Sequence, residues 1–409
     1  MEGLSLLQKA LQDKPIIISD RRYLHTHPGV GFDLKETKDY VAHKLQEIGI
    51  EPVFCGKAGL IAHIGGHKPG KVFLLRADMD ALWLKEEAPV EFAATNGMMH
   101  ACGHDMHTAM LLEAARLLKK CENTIPGTVK IMFQPAEELL EGARDMIQAG
   151  VLDNPRVDAG LMIHMLVNMP FETGTAIVAS GGVSAPAADY FTIQVQGKGC
   201  HGASPNQGVD PITAAAHIIL ALQELHAREL SPADDAILTI GSIQAGNAGN
   251  VIPDTTLLKG TLRSYDENLR QYLKKRMTDI AAHTAEAFRA TATVTFGSGC
   301  PTLLNDASLS ECTLSYIREL TGSARAYSTK ELASMAQDNK ISRNTGSEDF
   351  AYVSHQIPTV MVALAGGHPD HGFHLPLHHP GVCFDEDALS IGAAIYAHVA
   401  IRWLQDHSN

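Results

Sequence analysis

Twice along this chain the hydrophobic pattern changes its rule, and those two changes constrain the fold more than any other feature. Over the first 180 residues, helical and strand patterns alternate. KETKDYVAHKLQEIGI (35–50) places apolar residues at helical spacing, whereas GLIAHIGG and KVFLLRADM are short apolar runs bounded by Gly, Lys and Pro. MHTAMLLEAARLLKK predicts a helix with Asp105 as its N-cap. GTVKIMFQPAEE reads as a strand ending in a loop, and DAGLMIHML as another buried strand. Such alternation points to an α/β layer around a largely buried sheet.

Around Gly181–Asp189 the rule switches. YFTIQVQGKG alternates like a half-buried strand and a helix follows over 210–227. Two strands come next, AILTIGSIQAG and TLLKGTLRSY, then a long amphipathic helix over 267–288 and a strand in TATVTFGSG. Strand–helix–strand–strand–helix–strand is the ferredoxin-like order. After Pro301 the helix-then-buried-strand alternation resumes with TVMVALAGG and ALSIGAAIYAHVAIRWL. The expected architecture is an α/β domain with a mixed sheet, built from residues 1–184 and 299–409, interrupted by a ferredoxin-like α+β domain over 185–298. A chain of 409 residues is long enough for two such cores.

Charge and cysteine usage narrow the partners. The chain carries 33 Lys and Arg against 46 Asp and Glu, a formal charge of −13, and no stretch forms a compensating basic patch. Nucleic acid and anionic membrane surfaces are therefore not expected as partners. The first twenty residues read as a short amphipathic helix, without the apolar core and small-residue cleavage site of a secretory signal. No run approaches the ~18 apolar residues of a membrane span. Seven cysteines at irregular spacing fit neither a disulfide framework nor a zinc ribbon, which suggests reduced thiols and a cytoplasmic location.

Histidine is over-represented, at 21 residues, and several occur in dense groups. In MMHACGHDMHTAM (98–110), Cys102 and His104 stand two apart, a spacing that would not share a helix face but can converge on one ion from a loop. A thiolate and an imidazole suit a borderline-soft divalent metal. A buried free cysteine beside a surface histidine is the alternative. FQPAEE places Glu137 and Glu138 together at a strand end, where neighbouring side chains point in opposite directions. One carboxylate can then ligate while the other faces a water, although paired acids are also common on solvated surfaces. His164 is the single polar residue in GLMIHML, either a ligand or a satisfied core histidine. HPDHGFHLPLHHP holds five histidines, of which at most two are ligands. Asp78 and Asp80 of RADMDAL share a face at period two, where an acid can hold a ligating histidine in one tautomer.

Taken together, these segments resemble the dinuclear-metal aminoacylase/carboxypeptidase family, in the branch containing hippurate hydrolase, N-acetyldiaminopimelate deacetylase and the hydrolases of auxin–amino acid conjugates. The resemblance runs from RRYLHTHPGVGF to LHHPGVCFDEDALSIGAA, with GKGCHGASP, NVIPD, KGTLR and SEDF in order between them. It implies five metal ligands: Cys102 as the bridge, His104, Glu138, His164 and His378. His378 is preferred to His379 because it follows a Leu and stands two residues before the Pro. Glu137 is the implied general base, and Asp78 a further residue of the catalytic group.

The inserted domain is implied to be a lid and dimerisation module. On it, His201 resembles the histidine that reaches a partner subunit's active site, and Asn250 and Arg263 resemble groups that hold the substrate's carbonyl and carboxylate. The expected cofactors are two divalent ions, zinc or manganese first, cobalt or nickel as alternatives. The expected reaction is hydrolysis of an N-acyl amino acid by a homodimer, with a metallo-exopeptidase or dipeptidase acting on short peptides as the competing reading. Gly29, Trp83, Leu139, Leu140 and Cys200 depart from the family pattern without removing a ligand or the base.

Overall fold

A computed structural model describes residues 2–335 and 346–408. The chain divides into two compact units. Of the described residues, one comprises 2–184, 304–335 and 349–408, and the other 185–303 with 346–348.

The larger unit is built on an eight-stranded mixed sheet. Its four inner strands, Thr128–Gln134, Val72–Asp78, Ala159–Leu166 and Thr359–Ala365, are adjacent in that order and parallel to one another. All seven residues of Val72–Asp78 are buried, as befits a parallel strand covered on both faces. Gly59–Gly65 joins Thr128–Gln134 antiparallel on one side. On the other side, Ala176–Val178 pairs antiparallel with Thr359–Ala365. Helices His104–Lys120 and Ala388–Asp406 pack on each other and on Val72–Asp78. The core joins Phe73, Leu75, Ile131, Phe133, Leu161 and Val362 from the sheet to Met106, Met110, Leu389 and Tyr396 from these helices.

Two local expectations need correction. The first twenty residues are not one short helix: Glu2–Gln12 and Lys14–Thr26 are separate helices, the second opening with Pro15 in its first turn. Asp105 is not the N-cap of its helix either. Gly103, at φ 85°, holds that position, and a Cβ there would stand 3.1 Å from the Phe384 ring. The Asp105 carboxylate is taken instead by Arg21 Nε at 2.7 Å and His25 Nδ1 at 2.9 Å, both from the helix Lys14–Thr26.

The smaller unit carries a four-stranded antiparallel sheet in the order Ala236–Ala245, Thr255–Ser264, Ala187–Gln196, Thr291–Cys300. Helices Pro211–Glu224 and Glu267–Ala287 pack against it, closing a core of Phe191, Ile193, Ile218, Leu222, Leu258 and Met277. Asp210 and Asp266 cap these helices by accepting backbone N–H bonds from Ile212 and Leu269. A buried fork fixes the longer helix to the sheet: Arg270 donates Nε and Nη2 to the two oxygens of Asp189, at 2.6 and 2.9 Å.

Candidate metal centre

Parallel strands end on one edge of the sheet, and the cluster is assembled there. Asp78 ends one strand, Glu137 and Glu138 follow the end of Thr128–Gln134, and His164 lies near the end of Ala159–Leu166. Cys102 and His104 enter from the loop and helix start beyond Val72–Asp78. His378 comes from the segment after Thr359–Ala365, at φ 65°, with its N–H bonded to Ala101 O at 2.9 Å. That left-handed backbone, unusual for a non-glycine residue, is held by a bond to the neighbour of Cys102.

Several overlapping groups of possible ligand atoms result, one of them joining His104, Glu137 and Glu138, and two of them share Cys102. Cys102, His104 and His164 offer atoms that all lie within 4.8 Å of one another, and so do Cys102, Glu138 and His378. Cys102 belongs to both. Its Sγ stands 3.6 Å from His164 Nε2, and His378 Nε2 stands 3.3 Å from Glu138 Oε1. Glu137 is buried beside them, with Oε2 3.9 Å from His104 Nε2. His379 turns to its own loop, where Nδ1 accepts the Gly381 N–H.

The tautomers are legible from the backbone. His104 Nδ1 donates to Asp80 O at 2.8 Å, so Nε2 carries the lone pair. That Nε2 is buried and has no hydrogen-bond partner among the described residues. A buried acceptor without a donor, aimed at a thiol and a carboxylate, fits a cation. His164 likewise commits Nδ1 to Met165 O at 2.8 Å and leaves Nε2 towards Cys102. Burial pushes the Cys102 thiol up, but the neighbouring imidazoles of His164, His104 and His378 outweigh it and bring it to about 6, into the thiolate range. Hydrogen bonds to Cys102 and Glu138 raise His378 to about 10, the mark of a place that stabilises positive charge. Thiolate, imidazole and carboxylate form a donor set suited to divalent transition ions, and these residues fit such ions.

Behind the candidate ligands stand residues the sequence did not single out in these roles. Asp78 does hold a histidine, but that residue is His107: Nδ1 meets Asp78 Oδ1 at 2.5 Å, while Nε2 accepts the Met165 N–H at 2.8 Å. With both nitrogens engaged and burial taking its pKa down to about 4 against the pull of Asp78, His107 is a neutral support. The Asp80 carboxylate stands 3.6 Å from His104 Nδ1 and accepts the N–H of Glu137 at 3.0 Å and of Glu138 at 3.1 Å. Arg76, fully buried, donates to Asp78, Gln134 and Asp349. A charged residue inside an otherwise apolar strand was the available signal, since such a charge must be paired.

His201, Asn250 and Arg263 lie in the smaller unit. His201 pairs with Val251 in a two-residue ladder, and Gly202 N–H bonds to Asn250 O, which brings His201 and Asn250 together. Arg263 lies on Thr255–Ser264 and donates Nη1 to Ser347 Oγ at 2.6 Å.

Fold and site together define a metal-dependent hydrolase. The sequence profile of peptidase family M20/M25/M40 matches residues 74–402, and the chain belongs to that family. It is 37% identical over 408 residues to the N-acetyl-L-cysteine deacetylase of Bacillus subtilis (strain 168), covering 99% of this chain and 90% of that one. Against the N-acyl-L-amino acid amidohydrolase of Geobacillus stearothermophilus it is 39% identical over 295 residues, 71% and 78% of the two chains. A solved Bacillus subtilis protein described as a dinuclear metal binding peptidase of the M20 family superposes with a TM-score of 0.76. Its sequence is 32% identical, over 96% of this chain and 98% of that one.

Proposed function

We propose that this chain hydrolyses the amide bond of N-acyl amino acids, releasing a carboxylic acid and a free amino acid, at a centre holding two divalent ions. The observation that carries the reading is the pair of ligand groups sharing Cys102, with Glu137 alongside. Cys102, His104 and His164 would hold one ion, and Cys102, Glu138 and His378 would hold the other. Ions bound there would polarise the scissile carbonyl and make water acidic enough to be deprotonated near neutral pH. Zinc suits the cysteine ligand and manganese is the second candidate.

Glu137 takes a proton from the attacking water as the C–O bond forms. It returns that proton to the nitrogen as the C–N bond breaks, so that the amine leaves neutral. Asp78 keeps His107 in one tautomer beneath the ligands. On the inserted unit, read as a ferredoxin-like lid spanning 185–298, His201 donates to the developing oxyanion. Asn250 binds the substrate's carbonyl and Arg263 its carboxylate. The lid is also read as the dimerisation surface, with His201 serving the partner subunit. All seven cysteines are unpaired, which suits a reducing, cytoplasmic setting, and no helix among the described residues is long and apolar enough to cross a membrane.

The test is Glu137→Gln assayed on a panel of N-acetyl, N-benzoyl and other N-acyl amino acids alongside dipeptides. Metal content should stay at the wild-type level while kcat falls about 10²–10⁴-fold. Near-normal turnover would remove Glu137 from the base role, and a preference for dipeptides would favour the exopeptidase reading. Mixing Glu137→Gln with His201→Ala protomers should restore part of the activity. Failure to do so after demonstrated subunit exchange would exclude action across a dimer.

A further inference from the structure

The motif SEDF has no task in the reaction as written, yet its aspartate is among the most connected side chains of the larger unit. Asp349 is fully buried. Its Oδ1 accepts from Gln134 Nε2 at 2.5 Å and from Arg76 Nη2 at 3.3 Å, and its Oδ2 accepts the backbone N–H of Ala143 at 2.8 Å. Arg76 in turn donates Nη1 to Asp78 Oδ2 at 2.7 Å and Nε to Gln134 Oε1 at 2.8 Å. One carboxylate thus touches the strand that ends in Asp78, the strand that precedes Glu137, and the helix that follows Glu138.

Between those last two elements lies the loop that carries Glu137 and Glu138. It is strained and tightly closed: Ala136 and Leu140 have φ of 52° and 55°, and Leu140 N–H bonds to Glu137 O at 2.7 Å. Asp80 holds its near end through the N–H groups of Glu137 and Glu138. Asp349 holds its far end at Ala143. Without the second clamp, the left-handed residues would have a route to relax, and relaxation would move both carboxylates. Asp349 and Glu137 also belong to one group of carboxylates whose oxygens lie within 4.8 Å. The donors from Arg76, Gln134 and Ala143 orient the Asp349 oxygens and balance their charge at that short range.

We propose that Asp349 is a positioning residue for the reaction: it fixes the loop bearing Glu137 and Glu138 from its far end and sets Arg76 against Asp78. The inference rests on Glu137 being the base. Its structural arm is independent of that reading.

The experiment compares Asp349→Asn with the pair Asp349→Asn plus Gln134→Glu. The pair moves the negative charge one hydrogen bond away, keeps an acceptor for Arg76 Nε and reverses the bond between the two side chains, giving up only the longer 3.3 Å contact from Arg76 Nη2. In Asp349→Asn, amide hydrogen exchange over residues 135–143 should quicken in the metal-free protein as well as in the metal-loaded one. On an N-acetyl amino acid, kcat should fall about 10–100-fold, KM should change little, and two ions should remain per chain. The pair should recover both the protection and most of the kcat. Unchanged loop exchange in Asp349→Asn, or kcat within about twofold of wild type, would overturn the proposal. So would a kcat loss that the pair does not relieve although both variants are folded. If the single variant does not fold, the pair decides alone: wild-type loop protection and turnover support the clamp, and a loosened loop in a folded pair refutes it. Should Glu137→Gln retain turnover, the base assignment fails, whereas the exchange measurement still reads the clamp.

Discussion

Glu113 lies on the helix that His104 begins, with its side chain fully buried; Oε2 accepts from Arg116 Nη1 at 3.2 Å and Oε1 has no partner among the described residues. Burial raises its pKa to about 7 against the pull of Arg116. The folded state therefore holds a proton that the unfolded chain releases at ordinary carboxyl pH, near 4.5. That contribution to stability is complete below the unfolded value and is lost as pH rises through about 7. Glu113→Gln, which imitates the protonated form, should leave stability at pH 4.5 nearly unchanged and raise it at pH 8 by about 2–3 kcal/mol. Denaturant melts across that range check this, and parallel wild-type and variant curves would refute the buried-acid assignment. At this scale, the sequence displayed the candidate ligands because Cys102, His104, Glu138, His164 and His378 are soft or charged groups in apolar or loop surroundings. It did not display which nitrogen of His104 is free, nor that Asp78 serves His107 and Asp80 the Glu137–Glu138 backbone. Those assignments depend on bonds to Asp80 O and Met165 N that only the folded backbone brings near.

Among the elements, the long periodic ones were readable. Val72–Asp78, Thr128–Gln134, Ala159–Leu166 and the four ten-residue strands of the smaller unit occur where the patterns place them. Val53–Cys55, Ala176–Val178 and Ala326–Ser328 have three residues each, too few to display a period, and their pairing partners alone define them. The helix start at Gly103 was missed for a related reason: the side chain of Asp105 is claimed by Arg21 and His25, which lie 84 and 80 residues earlier. The loop bearing Glu137 and Glu138 has its own sequence requirement. A Cβ on Gly142 would sit 1.5 Å from Pro135 O, with no flexible side chain to yield. Gly142→Ala must therefore open the loop, and should cost about 2 kcal/mol or more in stability together with measurable loss of bound metal. Calorimetry with elemental analysis tests this. An alanine variant with wild-type melting temperature and metal content would show that the closed loop is dispensable.

At the scale of the whole molecule, each unit closes a hydrophobic core of its own, and the smaller is inserted into the larger at Ser184/Ala185. The proposed ligands on the larger unit span Cys102 to His378, so the long insertion leaves the two halves of the cluster to be joined by the sheet. Thr359–Ala365 pairs with Ala159–Leu166 over its full length, which carries the segment leading to His378 back beside His164. The central claim is that this sheet edge binds two ions through Cys102 while Glu137 remains unbound. Anomalous diffraction from crystals of the zinc-loaded protein tests it most directly. Two peaks per chain are expected, both about 2.3 Å from Cys102 Sγ, one beside His104 and His164 and the other beside Glu138 and His378, with Glu137 bound to neither. A single peak, two peaks that do not share Cys102, or a peak coordinated by Glu137 would contradict the account.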